Sequence, residues 1–168
     1  MPAFQCIPIP TEVAERFRRT GVDDNGNPLR RVEVGAVAGS SYPCRHCLRS
    51  GVPGETMLLG SYNLPAPKGI YWTPSPIFVH AEACPLYAED NAIAQIIGEG
   101  TLISIRAYDD ADQCLYDLGQ VCAGKDARAL LERAIGDPRT AFVDVHTARP
   151  GCLLSRVECE SRADRSLG

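Results

Sequence analysis

No run of apolar residues in this 168-residue chain approaches the length that crosses a bilayer, and the N-terminus lacks the basic and apolar blocks of a secretory signal. No membrane partner and a cytoplasmic location are therefore expected. Positive charge is not in excess either: 17 Lys and Arg face 21 Asp and Glu, a formal net charge of -4. That balance argues against broad attraction to nucleic acid or to anionic lipid. Internal repeats, low-complexity tracts and linker-like composition are all missing. An apolar fraction of 45% and a charged fraction of 23% are ordinary for one globular domain, so disorder and fibrous structure are set aside.

Sulfur and proline are plentiful, with 8 Cys and 13 Pro. In a reducing compartment, cysteines read first as buried apolar side chains, metal ligands or reactive thiols, and only then as a disulfide framework. Prolines at 65, 67, 74 and 76 interrupt regular pairing in the middle of the chain.

The local patterns predict an α+β domain. Phe4 to Ile9 is extended and edge-like because of Pro8 and Pro10. Thr11 is placed as the N-cap of a helix through about Arg19, with Val13, Ala14 and Phe17 on one face and Gly21 as its stop. Asp23 to Pro28 is a turn; its likeness to an acidic calcium loop lacks the late glutamate.

Strands are expected over Leu29–Val34, Thr56–Tyr62, Ile77–Val79 and Thr101–Tyr108, with a brief helix over Ala92–Gly98. Cys114–Cys122 should return beside 101–108 as a hairpin. Ala127, Leu130, Leu131, Ala134 and Ile135 fall on one helical face. Ala141–His146 and Cys152–Cys159 form a closing pair of strands. The sum is a single domain over 1–160: a largely antiparallel twisted sheet of about seven strands with two or three helices. Residues 161–168 read as a frayed tail.

Chemistry concentrates between Tyr42 and Pro85. Two of the three histidines and three of the 8 cysteines lie there, as Cys44-Arg45-His46-Cys47 and His80-Ala81-Glu82-Ala83-Cys84. A C-x2-C pair lets two sulfurs from one tight turn share an ion, so Cys44, Cys47, His80 and Cys84 are candidate zinc ligands. In extended chain His80 and Cys84 would stand about 13 Å apart, so residues 81–83 must turn. Leu48 follows Cys47 where a zinc knuckle commonly has glycine, and His46 is expected to face solvent.

Other readings use the same residues. The cysteines can be reduced with His80 hydrogen-bonded and no metal bound, or Cys44 and Cys47 can act as a redox pair. A thioredoxin-like context is missing, because Arg49 to Gly54 is a poor helix start. A further candidate is a pocket for a small anionic ligand containing Glu55, His80, Arg106, Tyr108 and Cys152. Arg106 within an apolar strand calls for an anion, supplied internally by Glu55 or by an aspartate from 109 to 112, or else by a ligand. Cys152 with a histidine, His146 or His80, is the nucleophilic alternative. Tyr71 and Trp72 would rim a pocket or pack on a core edge.

Taken in order, Tyr42-Pro43-Cys44-Arg45-His46-Cys47-Leu48, Pro53-Gly54-Glu55, Met57-Leu58-Leu59, Pro76-Ile77-Phe78-Val79-His80-Ala81 with Cys84, Ile105-Arg106-Ala107-Tyr108 and Pro150-Gly151-Cys152 resemble the bacterial DUF1203 family. The resemblance runs from about residue 40 to 157. It implies a small cytosolic bacterial domain without an assigned activity. It also draws attention to Cys44, Cys47, Glu55, His80, Cys84, Arg106 and Cys152. The expected function is a ligand-binding or structural module with a Cys/His corner suited to zinc, with a thiol-dependent enzyme as the alternative.

Overall fold

The computed structural model describes residues 3–37 and 40–163. In chain order the elements are β1 (Phe4–Ile7), α1 (Thr11–Thr20), β2 (Arg30–Glu33), β3 (Thr56–Asn63), β4 (Pro74–His80), α2 (Gln95–Gly98), β5 (Ile103–Tyr108), β6 (Gln120–Cys122), α3 (Ala127–Gly136), β7 (Phe142–Thr147), β8 (Leu153–Cys159) and α4 (Glu160–Ala163). They form one α+β domain with two antiparallel sheets, where a single sheet was expected. The larger has the order β1-β8-β7-β5-β6, the smaller β2-β3-β4.

The division follows from β4. Pro74 and Pro76 pair with Asn63 and Ser61 across β3 but have no N–H to offer another strand. That makes β4 an edge and ends the smaller sheet. Outside its pairing with β3, β4 meets an isolated parallel bridge between Cys44 and Phe78 and a bond from Leu153 N to the Ser75 hydroxyl.

Alternation places Ile103, Ile105 and Ala107 of β5 with Val143 and Val145 of β7 on the face covered by α3. Ala127, Leu131, Ala134 and Ile135 of α3 are buried there, as the helical period required, and Leu130 is partly buried. A second core gathers Ala14 and Phe17 of α1 with Met57, Ile77, Val79, Cys44 and Cys47.

The N-terminus of α1 differs from expectation. Thr11 is inside the helix, Pro10 precedes it with no side-chain cap, and the Thr11 hydroxyl is used elsewhere. Gly21 closes the helix at φ 68, its N–H donating to Phe17 O. The expected 114–122 strand is also shorter. Tyr116–Leu118 is a 3-10 turn that tucks in Leu118, 6% exposed, and it splits the pairing with β5 into an isolated bridge from Cys114 to Tyr108 and the short strand Gln120–Cys122.

At the other end, α4 carries helical backbone into the first three residues of the stretch expected as a tail over 161–168, and 164–168 lie outside the described residues. Among the described residues no helix is long and apolar enough to cross a membrane.

Candidate metal centre

The segment 44–48 is held by backbone hydrogen bonds to four distant parts of the chain. Arg45 O accepts from Ile9 N and Arg45 N donates to Phe78 O; His46 O accepts from Tyr87 N and Leu48 O from Ile96 N. Within the turn, Cys44 N donates to Arg49 O. Leu48 has φ 54, so the left-handed conformation that a knuckle usually assigns to glycine is adopted here by a fully buried leucine. The side chain is retained because its burial among the larger core outweighs the backbone cost.

On the other side, β4 delivers His80 at its end, opposite Met57 of β3. The chain bends through Ala81 and Glu82 and returns Cys84 to the same spot. The required turn is therefore present. One ligand atom from each of Cys44, Cys47, His80 and Cys84 lies within 4.8 Å of the other three. Cys44 Sγ is 3.9 Å from Cys84 Sγ, and Cys47 Sγ is 3.5 Å from His80 Nδ1.

The two separations of 3.9 and 3.5 Å match edges of a tetrahedral zinc site. Bonds of about 2.3 Å to sulfur and about 2.05 Å to nitrogen give sulfur–sulfur edges of about 3.8 Å and sulfur–nitrogen edges of about 3.5 Å.

The surrounding groups are arranged to orient the donors. Glu55 Oε2 is 3.0 Å from His80 Nε2 and also accepts from Val52 N at 2.9 Å. With a metal bound, a carboxylate there would hold the proton on Nε2 and leave the Nδ1 lone pair to the ion, the usual outer support of a metal-bound imidazole.

His46 was expected in solvent but is 2% exposed. Its Nδ1 lies 3.2 Å from Cys84 Sγ and its Nε2 lies 2.9 Å from the Thr11 hydroxyl. With Thr11 donating to Nε2, the Nδ1–H points at the sulfur. Arg18 completes the corner, with Nη2 donating to Cys84 Sγ at 3.3 Å and Nε to His80 O at 3.0 Å. Thr11 and Arg18 were not foreseen. Their spacing of seven puts both on one helical face, but nothing in the sequence tells which remote loop that face meets.

Electrostatics favour negative charge on one of the sulfurs, that of Cys44. Hydrogen bonds from Cys47 and then Cys84 pull the Cys44 thiol far below its ordinary range, while the bond to Cys44 pushes Cys47 up. The bond to Cys44, with that to Cys84 next, raises His80 to about 10. Burial lowers His46, which is accordingly neutral.

Arg45 points the other way. It is 3% exposed; its Nε donates to Leu153 O at 2.6 Å and its Nη1 to Pro43 O. Burial lowers it to about 10, so it remains a cation at neutral pH.

The other candidate site residues are dispersed. Arg106 Nε donates to Ser104 Oγ at 3.3 Å, and its cross-strand neighbour is Asp144, not Glu55. Asp144 itself holds Arg156 at 2.9 Å. Tyr108 is 5% exposed and stacked on Phe142 at 5.2 Å. Cys152 lines a cleft between the sheets.

His146 Nδ1 is 2.8 Å from Gly151 O, and among the described residues no hydrogen bond joins Cys152 to a histidine. Trp72 Nε1 donates to Leu64 O and Tyr71 packs edge-on against Tyr108, so both close a core edge.

No curated protein and no solved structure matches the chain. The family model described as a protein of unknown function, DUF1203, matches residues 41–159, a span that contains all four sulfur and imidazole donors. The chain belongs to the DUF1203 family.

Proposed function

We propose that this domain is a non-catalytic binding module whose corner holds one structural zinc ion through Cys44, Cys47, His80 and Cys84. The observation that carries the reading is the convergence of four soft donors within 4.8 Å, with Glu55 on the far nitrogen of His80. Three thiolates and one imidazole select zinc, or iron in its place, over hard cations. Four protein ligands close the coordination shell, which is the pattern of structural rather than catalytic sites. The ion would cross-link the 44–47 turn to the end of β4 and to the bend at Cys84, and Arg18 would balance its excess thiolate charge.

The test is elemental analysis of protein purified under reducing conditions without added metal. About one zinc per chain is expected, falling below about a tenth in Cys84→Ser and His80→Ala. A metal-free sample that takes up no zinc and keeps its melting temperature after chelation would overturn the proposal.

A further inference from the structure

A cleft of about 450 Å³ lies between the two sheets, lined by Pro43 and Arg45 and by none of the four sulfur and imidazole donors. Its volume is in the range of small-molecule sites. Leu59 and Phe78 come from the smaller sheet, Ile103 and Leu154 from the larger, so its walls are largely apolar. Arg45, itself buried, and Cys152 also line it.

The cleft has fewer carboxylates than guanidinium groups. Glu99 and Arg149, both exposed, add one charge of each sign to the lining. Arg45 has two carbonyl partners, and among the described residues no ion pair includes it. Arg18 is the guanidinium already set against the thiolates. The acidic groups that act on Arg45 are the thiols of Cys152 and Cys44, not a carboxylate; a buried cation without a carboxylate partner is costly, and the planar fork of arginine matches a carboxylate through two parallel hydrogen bonds.

We infer that the cleft binds a small organic monocarboxylate, its carboxylate on the free N–H groups of Arg45 and its short apolar body between Leu59, Phe78, Ile103 and Leu154. Ser41, Ser50 and Thr147 supply hydroxyls at the same cleft. This assignment goes beyond the metal reading and shares with it only the turn that holds Arg45.

The test follows amide resonances during titration with hexanoate, with 1-hexanol and inorganic phosphate as comparisons. Saturable shifts at Thr147, Gly151 and Cys152 are expected with hexanoate, at least tenfold weaker binding with hexanol, and none with phosphate. Arg45→Met should abolish the hexanoate shifts. Because that variant also loses two structural hydrogen bonds, Cys152→Asp is the second arm.

Placing a carboxylate beside Arg45 should raise the melting temperature and block hexanoate. Unchanged zinc content in both variants separates this result from any failure at the metal corner. Absence of saturable hexanoate shifts, equal binding of hexanol, tighter binding of phosphate, or a Cys152→Asp protein that melts lower and still binds would each overturn the inference.

Discussion

Leu48 shows how two opposed costs are settled at a single residue. Its left-handed backbone costs about 1–2 kcal/mol, and glycine would remove that strain. Removing a fully buried leucine side chain costs about 2–5 kcal/mol, and glycine adds unfolded-state entropy. The second effect is larger, so Leu48→Gly should destabilise the protein by about 2 kcal/mol in urea unfolding. A stabilised variant would show that the strain dominates.

At this scale the donor inventory was legible, because C-x2-C spacing and the isolated His80 and Cys84 are chemical signals in themselves. The support around them was not. His46 was expected outward from its place between two ligands, yet it is turned in by Thr11, 35 positions away. Arg18 and Arg45 belong to the same class of contact, one set by tertiary packing and invisible to local spacing.

Among the elements, α1 and α3 were readable because a helical face repeats along the chain whatever it later packs against. The strands were readable individually. What no local pattern contained was their partition into two sheets, which depends on β4 becoming an edge. The 114–122 segment was overextended for a related reason: alternation cannot see that Leu118 must dip inward through a 3-10 turn.

The junction between α2 and α3 gives a sharp test of packing between elements. A Cβ on Gly124 would lie 1.9 Å from Ile97 O and 2.8 Å from Gly100 O, both backbone atoms with little room to yield. Gly124→Ala should cost about 3 kcal/mol, while Gly35→Ala, with nothing within 4 Å, should change stability by less than about 0.5 kcal/mol. Equal melting temperatures for the two variants would contradict this packing.

For the molecule as a whole, the fold class came through from the sequence because runs of strands without intervening helices imply antiparallel pairing. The relation between the two cores did not, since it passes through the 44–48 turn and its links to four remote segments. Removing the ion from the metal-loaded protein with a chelator should therefore loosen one part first. Hydrogen exchange is expected to quicken at least tenfold at Ile9, Arg45 and Tyr87, whose amides bond into or out of that turn. The amides of α3 and of the β5–β7 ladder should keep their protection, and uniform loss across the chain would refute the arrangement.

The bond from Arg45 to the carbonyl of Leu153 spans 108 positions. A ribosome adding about 5–20 residues each second needs about 5–20 s to make that stretch. Through that interval the nascent turn is without its final anchor, and its thiols emerge before the strand that will fasten them. Capture of an ion on the ribosome would thus precede completion of the larger sheet, and oxidants would compete for the same sulfurs during the same seconds.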